Sequence, residues 1–591
     1  MFRVIQSKLE RLSNWKWALA ISGVAFIFGY LEKGQDNNYI NGDGLGYYAY
    51  LPAVFIYHDL SFNFIESYEK KHYFPGQHAD FRMETPDGKV NRYYVGTAFL
   101  QLPFFLITHS TCLITGQEAD GYSHIYQYTV LFAGCFYLFV GIWALMLILS
   151  FYTSQILSKL VPLIFLLATN LIFYTIYNPD FSHIYSFAIV NLFILTALQF
   201  FSKPSSGKLL LLFAWIAIIV LIRPINGLIV LLLPFFAGSW KSFLNGVYFS
   251  FKNYRFLIIG LVISIAIIFV QLSIYYFQTG HFWVYSYGKY GFNFRDPHFI
   301  DILFSYRKGL FLYSPVLFFS LGGFYFLFRS SIYKALILLL FLCLLVYILS
   351  SWDFWTYGMT YGQRPFIEYY ALFSILLGLL LQQMNSLFKK TAVSVILILL
   401  IVLNLIQMSQ HRHYILHWDE MNKEKYWKVF LRTDPIYYGY LWGPIQPFSD
   451  STEGYTPVKA VTEKSGSSRL ISGKHKLLPS SSLPTINFLP NVKNDSLNIV
   501  LVFKVLPQKD ILKKNVIHID IHRKVLHEIE GYSFEITPRN IEPLQWNKVR
   551  KCVKLPKKST DEIFTIDISN PGKYAFEIDS IQIFEKNIQK K

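Results

Sequence analysis

Long apolar runs alternate with short basic or aromatic segments over the first 410 residues of the chain. A helix of about 20 apolar residues crosses the hydrocarbon core of a bilayer. We therefore predict an all-α polytopic membrane domain, residues 1–410, with about eleven transmembrane helices. The predicted spans are 15–32, 122–150, 160–177, 183–201, 208–222, 225–239, 256–277, 309–328, 334–350, 367–386 and 391–410.

Segment 94–116 is apolar enough to cross, but Pro103 and several polar residues interrupt it. Basic loops of membrane proteins face the cytoplasm. The basic N-terminus and the Lys and Arg residues of the later loops share one side only if 94–116 does not cross. We therefore predict an interfacial helix there, within a first periplasmic loop at 33–121, and a cytoplasmic N-terminus.

The remainder of the chain has a different pattern. Short runs of alternating apolar and polar residues occur at 497–505, 515–524 and 574–585, with turn-forming residues between the runs. Such spacing is typical of a β-sandwich. We predict a linker at 411–485 and an extracytoplasmic, periplasmic β-sandwich at 486–591.

Composition agrees with a membrane protein. The chain of 591 residues is 53% hydrophobic and 15% charged, whereas soluble proteins carry about 25% charged residues. The net charge of +17 comes from residues placed largely in loops, so it indicates membrane orientation and no nucleic-acid partner. The four cysteines show neither metal-binding nor disulfide spacing.

The first predicted loop contains the stretch GDGLGYYAYLPA, in which Asp43 lies between two glycines. A carboxylate removes the proton of an attacking hydroxyl when it reaches hydrogen-bond distance. We predict Asp43 as a general base, and the alternative is a helix cap or turn residue. Tyr47 and Tyr48 suit either the lipid headgroup level or stacking on a sugar ring.

Arginines at predicted span ends are candidate phosphate ligands, because a guanidinium offers a fork of donors to phosphate oxygens. Arg364 begins the stretch RPFIE, and Arg223 lies in LIRPING. Arg307 and Lys308 belong to the basic loop 280–309. The alternatives are interface arginines or, for Arg364, a pair with Glu368.

Other candidate substrate-binding residues lie in the same predicted outer loops. His183 belongs to the stretch NPDFSHIYSF. Four more candidates, Trp352, Trp355, Tyr361 and Glu368, belong to the stretch WDFWTYGMTYGQRPFIE. The tryptophans equally suit an aromatic belt, and His183 an interface hydrogen bond. His72, His78 and Asp80 match no strong metal motif. We predict neither a metal ligand set nor a certain cofactor, and a divalent metal stays an alternative.

These motifs, in this order over residues 1–410, resemble the GT-C superfamily of polytopic membrane glycosyltransferases, of the bacterial protein-mannosyltransferase or dolichyl-phosphate-mannose type. The resemblance implies a polyprenyl-phosphate sugar donor, an extracytoplasmic acceptor (glycan, lipid or protein), and membrane lipids as surroundings. It implies that Asp43 is the base and that arginines hold the donor phosphate. The enzyme would be a hexosyl- or pentosyltransferase of cell-envelope glycans in a bacterial inner (plasma) membrane.

Two other functions use the same features. A transporter or flippase of lipid-linked sugars would need charged groups along a path through the membrane centre. A ligase or polymerase of surface polysaccharide would share the donor class and differ in its product. A non-enzymatic scaffold is a third alternative.

The predicted topology places Val500 outside the cytoplasm and Lys390 inside. We expect a membrane-impermeant maleimide to label Val500→Cys in intact spheroplasts, while Lys390→Cys reacts only after permeabilisation. Labelling of Lys390→Cys but not of Val500→Cys in sealed cells would reverse the orientation.

Overall fold

The computed structural model describes residues 13–33, 39–72, 79, 81–288, 290–358 and 360–434, and beyond them the backbone of the strands given below. These residues fall into two compact units. One lies within Met1–Lys71 and His78–Met408, and the other within His72–Gln77 and Ser409–Lys591.

The first unit is mostly helical. Its one described hairpin pairs the strands Arg82–Thr85 and Gly88–Asn91, and 3-10 helices occur at Pro224–Leu232 and Arg364–Tyr369. The α-helices are Asn14–Lys33, Gly42–Tyr48, Tyr50–Phe55, Ile65–His72, Gly96–Thr115, His124–Leu149, Gln155–Ala168, Leu171–Ile176, Ser182–Ser202, Ser206–Ile222, Leu233–Ala237, Trp240–Lys252, Tyr254–Thr279, Phe299–Phe304, Leu310–Tyr313, Pro315–Ser320, Gly323–Ser330, Ile332–Ser350, Tyr370–Gln382 and Leu387–Arg412.

Seven helices among the described residues are long and apolar enough to cross a membrane, which indicates a multi-pass membrane protein. An eighth span results if Pro224–Ala237 and Trp240–Lys252, which meet at a bend of 117°, act as one. The seven are Gly96–Thr115, His124–Leu149, Ser182–Ser202, Tyr254–Thr279, Ile332–Ser350, Arg364–Gln382 and Leu387–Arg412.

Among the described residues, some of the roughly eleven predicted spans are not single long helices. The run 160–177 breaks at Thr169 and Asn170, between the helices Gln155–Ala168 and Leu171–Ile176. The run 309–328 divides into short helices, one of which begins at Pro315. Proline lacks an N–H and fixes φ, so it starts helices and interrupts those already formed.

Segment 94–116 forms the continuous helix Gly96–Thr115, with Pro103 inside it and Gly116 as a left-handed C-cap. The helix is long and apolar enough to be one of the seven. The prediction that it lies along the membrane surface stays a prediction.

Helices Ser182–Ser202 and Arg364–Gln382 are the most buried of the seven, and Tyr254–Thr279 is the most exposed. The first two therefore form the centre of the bundle, and they pack against each other near their N-terminal ends. His183, Arg364 and Glu368 all lie at those ends.

In the second unit, the helix Lys423–Val429 is followed by strands in two antiparallel sheets. In one sheet Ile517–Val525 is flanked by Glu528–Ile536 and Phe564–Asn570, and Phe564–Asn570 also pairs Ser481–Ser482 and Ile486–Phe488. The other runs from Ile445–Gln446 through Asn547–Pro556 and Ser496–Pro507 to Phe576–Lys586, which also pairs Thr456–Pro457 and Ile471–Leu477. Packing of the two sheets into a sandwich stays a prediction.

Three glycines determine where the short helix Gly42–Tyr48 lies. Gly42 has φ +54°, a conformation that glycine adopts without strain. A Cβ on Gly44 would stand 1.8 Å from Oδ2 of Asp180, and a Cβ on Gly46 would stand 2.5 Å from the Tyr93 ring. The helix can approach Asp180 and Tyr93 only because Gly44 and Gly46 have no side chain. This close approach also sets the position of Asp43, which belongs to the same helix.

We expect Gly44→Ala to destabilise the protein by about 1–3 kcal/mol, because the added methyl group overlaps the buried Asp180 carboxylate. The measurement is the thermal unfolding midpoint in detergent. Gly23→Ala is the control, since nothing lies within 4 Å of its Cβ, and it should stabilise the helix by up to about 1 kcal/mol. Wild-type stability of Gly44→Ala would contradict the close approach.

Candidate functional site

The hairpin Arg82–Thr85/Gly88–Asn91 holds Tyr93 beside the helix that carries Asp43. The Asn91 side-chain amide donates to the Gly46 carbonyl at 2.7 Å and accepts from the Tyr93 backbone N–H at 2.9 Å. The Tyr50 hydroxyl donates to the Tyr93 carbonyl at 2.6 Å. These bonds fix the Tyr93 ring 4.5 Å from the ring of Tyr47, measured between centroids.

Asp43 and Arg364, 321 residues apart in sequence, form an ion pair with Nη2 and Oδ2 separated by 2.5 Å. The Arg364 side chain is 11% exposed and that of Asp43 is 30% exposed. The Arg364 guanidinium also lies over the Phe181 ring, 5.0 Å from its centroid, in a cation–π contact. Asp43 is therefore not a helix cap, since Asn41 occupies that position and the carboxylate faces an arginine.

The surroundings of Asp43 keep it ionised. Burial acts to raise the pKa of the Asp43 carboxyl, but the Arg364 guanidinium and hydrogen bonds from Tyr93 and Arg364 outweigh burial. The pKa therefore lies below the ordinary value of 3.8. At neutral pH the group is a carboxylate, the form that a general base requires.

A second cluster is built around Glu368, one turn beyond Arg364. Glu368 is fully buried, and its Oε1 accepts from Arg223 Nη1 at 3.2 Å and from Asn226 Nδ2 at 3.4 Å. His183 Nδ1 lies 3.0 Å from the same oxygen and 3.1 Å from Arg223 Nη1. A buried carboxylate needs such partners, because an isolated charge is costly away from water.

Asn226 links this cluster to its neighbours. Its Nδ2 donates to Ser186 Oγ at 2.9 Å, and its Oδ1 accepts from the Tyr369 hydroxyl at 3.1 Å. Glu368 Oε2 is buried and has no hydrogen-bond partner among the described residues. Arg223, 18% exposed, is the member of the cluster whose side chain reaches the solvent most.

Tyrosines connect the two clusters. Tyr47 lies within electrostatic reach of Asp43, Arg223 and Arg364. Tyr287 interacts with Tyr47, Arg223 and Asp43. Burial raises the pKa of the Tyr47 and Tyr93 hydroxyls, so both are neutral phenols that can donate hydrogen bonds at physiological pH.

Tyr357 adds a further hydroxyl-bearing ring from the loop before Arg364. It is within electrostatic reach of Arg223, Arg364 and Glu368, and its hydroxyl donates to the Leu349 carbonyl at 2.8 Å. Its φ of 53° is unusual for a residue other than glycine. Such backbone strain is concentrated at functional sites, so it is consistent with Tyr357 belonging to this one.

Two predicted substrate-binding tyrosines lie elsewhere. The Tyr48 hydroxyl is buried and donates to the Gly121 carbonyl at 2.7 Å, on the side of the helix away from Asp43. Tyr361 is fully buried and donates to Asn404 Oδ1 at 3.0 Å. Both hydroxyls already have protein partners, so contact with a substrate is the weaker interpretation for either residue.

The remaining predicted residues lie around the two clusters. Trp352 packs edge-on against Tyr287, with ring centroids 5.3 Å apart. Trp355 stacks on His298 at 5.6 Å, and its carbonyl accepts from Gln363 beside Arg364. Lys308 is buried and Arg307 half-buried, just before the helix Leu310–Tyr313, and their role in phosphate binding stays a prediction.

No group of three or more His, Cys, Asp or Glu side chains that could hold a metal occurs among the described residues. The side chains of His72, His78 and Asp80 lie outside them.

Four residues of the two clusters were not among those predicted from the sequence: Tyr93, Asn226, Tyr287 and Tyr357. Asn226 stands within the RPIN stretch beside Arg223 and could have been found by asking what pairs with a buried arginine. The tyrosines belong to a chain that contains 42 of them, so no signal in the sequence separates them from interface aromatics.

No family model matches the chain, and no curated protein matches it. Among solved structures, one titled "Family 16 Carbohydrate Binding Module-2" aligns with 23% of this chain and 93% of its own, at 13% identity. Its TM-score is 0.14, too low to support a conclusion about fold.

We expect Glu368→Gln to destabilise the protein by roughly 3–5 kcal/mol, because it leaves Arg223 without its partner charge in a largely buried position. The measurement is the thermal unfolding midpoint in detergent. Glu66→Gln, at an exposed position, is the matched control and should unfold like the wild type. An unchanged midpoint for Glu368→Gln would show that the cluster does not depend on the ion pair.

Proposed function

We propose that the chain is a membrane glycosyltransferase that transfers a sugar from a polyprenyl-phosphate-linked donor to an extracytoplasmic acceptor. The main support for the proposal is the ion pair between Asp43 and Arg364, with Arg223 and His183 close by. A base next to cationic anion ligands is what this transfer requires. The motif order that resembles the GT-C superfamily supports the same function.

In the proposed reaction the Asp43 carboxylate accepts the proton of an acceptor hydroxyl. The resulting oxygen nucleophile forms a bond to the anomeric carbon, and the bond between that carbon and the phosphate oxygen breaks. The polyprenyl phosphate leaves with the electron pair, and the guanidinium groups of Arg364 and Arg223 stabilise its growing negative charge. No nucleotide and no redox partner takes part.

The tyrosines around the two arginines fit the sugar part of such a donor. Tyr47 and Tyr93 place two rings beside Asp43, and Tyr287 and Tyr357 add rings beside Arg223. Aromatic faces pack against the apolar faces of sugar rings, and phenol hydroxyls bond to sugar hydroxyls.

We also propose how the chain is placed in the membrane. The first unit would be a GT-C-like domain in a bacterial inner membrane, with some spans formed by broken helices, the N-terminus cytoplasmic and the two clusters on the periplasmic side. The C-terminal sheets would form a periplasmic β-sandwich. That domain would hold an acceptor glycan or cover the membrane domain.

We expect purified protein in nanodiscs to transfer a radiolabelled sugar from a polyprenyl-phosphate donor pool to an envelope acceptor fraction. Asp43→Asn should lower kcat by about 10²- to 10⁴-fold, the usual contribution of a general base. Asp296→Asn, an exposed carboxylate in another loop, is the matched control and should leave the rate unchanged.

Wild-type rates in a folded Asp43→Asn would exclude the base assignment. Movement of the intact lipid-linked sugar across sealed proteoliposomes, without transfer, would instead favour a flippase. Chain extension of the product would favour a polymerase.

A further inference from the structure

We propose that Arg364 has two successive partners, so that Asp43 is its counter-ion in the free enzyme and the donor phosphate displaces that carboxylate on binding. Asp43 would then become available as the base only in the donor complex. This inference rests on the proposed function, because it names the order in which that site is used.

The first reason is that the same edge of the Arg364 guanidinium binds Asp43 in the free protein and would bind the donor phosphate in the complex. Arg364 Nη2 is bonded to Asp43 Oδ2 at 2.5 Å, and Nη2 is among the donors that a phosphate ligand would use. An Asp43 oxygen held by this bond is partly neutralised by Arg364, so it accepts the proton of an acceptor hydroxyl less readily than a released carboxylate does. The ion pair seen in the structure therefore weakens both halves of the proposed reaction, and an exchange of partners would strengthen both.

The second reason is that the backbones on both sides are fixed. Gly44 packs directly against Asp180, and Gly46 against Tyr93 and Phe81, so the helix that carries Asp43 cannot slide away. Arg364 lies over Phe181 and precedes Pro365 at the start of a 3-10 helix. Separation of the pair is therefore a side-chain event, and a new anion on Arg364 is what would make it favourable.

The third reason concerns charge. Asp43 balances Arg364, and Glu368 balances Arg223. A phosphate added to this neutral arrangement would meet two carboxylates, and the repulsion between like charges is relieved when one of them moves away from its arginine. Glu368 is fully buried and hydrogen-bonded by Arg223 and Asn226, whereas Asp43 is 30% exposed. Asp43 is therefore the carboxylate that moves.

The exchange of partners would also make the Asp43 carboxylate a stronger base. In the free protein the Asp43 pKa is lowered chiefly by Arg364, against the effect of burial, and a carboxylate with a low pKa is a weak base. Release from Arg364 leaves burial as the larger influence, so the pKa rises. The titratable and charged groups that face Asp43 are Arg364, Tyr93, His183, Tyr47, Tyr174 and Tyr287.

The test measures binding without turnover. The probe is a long-chain polyprenyl methyl phosphodiester, whose single charge is the same at every pH used, with wild-type protein in nanodiscs. Because Asp43 competes with the probe for Arg364, Asp43→Asn and Asp43→Ala should bind it about five- to thirtyfold more tightly than wild type, as expected for one or two kcal/mol. Asp296→Asn should bind like wild type, and Arg364→Ala should bind more weakly.

A second measurement uses the wild type alone, so that it does not depend on the folding of a variant. Since the bound state has the higher Asp43 pKa, binding should take up a proton and become tighter as the pH falls from neutrality through that pKa. His183 also faces Asp43, and its protonation would favour an anion in the same direction. Asp43→Asn retains His183, so its pH dependence should be shallower than that of the wild type by the contribution of Asp43.

Equal or weaker binding by folded Asp43→Asn and Asp43→Ala, or a pH dependence in them as steep as in the wild type, would overturn the exchange while the proposed function stands. Absence of probe binding by wild type and by both Asp43 variants would contradict the proposed phosphate site, and the exchange with it.

Discussion

The arrangement of this membrane domain depends on one constraint: every charge that enters the apolar helix bundle must meet a partner there. Arg364 and Glu368 are one turn apart at the start of a central helix, and each meets an opposite charge from a distant part of the chain. Asp43 comes from a short helix near the N-terminus, and Arg223 from the break before a 3-10 helix. The four residues thereby join three separate segments of the chain at one end of the bundle.

The same constraint explains the small residues nearby. The helix Gly42–Tyr48 reaches Arg364 because Gly44 admits the Asp180 carboxylate and Gly46 admits the Tyr93 ring. Asp180 in turn accepts from the Asn41 backbone N–H at 2.9 Å, just before that helix. The alternation of glycine with Asp43 in GDGLG is thus a packing requirement on both sides of the Asp43 side chain.

The sequence predicted the membrane class, and it selected Asp43, Arg223, His183, Arg364 and Glu368 because charges beside apolar runs are rare and have few explanations. The structure brings these five residues into two ion-paired clusters. The sequence did not predict the breaks within some spans, because hydropathy does not register a break such as that at Thr169 and Asn170. Tyr93 could not be chosen from the sequence, since its place beside Asp43 arises from hydrogen bonds between residues far apart in the chain. Tyr48 and Tyr47 are adjacent in sequence, yet Tyr48 bonds to the Gly121 carbonyl while Tyr47 lies within electrostatic reach of Asp43.

The central claim is that a phosphate and Asp43 share the guanidinium of Arg364. The most direct test is a cryo-EM structure of the protein in nanodiscs with a polyprenyl-phosphate sugar bound. We expect the phosphate within hydrogen-bond distance of Arg364 and the Asp43 carboxylate turned toward the anomeric carbon. A phosphate bound elsewhere, with the ion pair between Asp43 and Arg364 intact, would contradict the account.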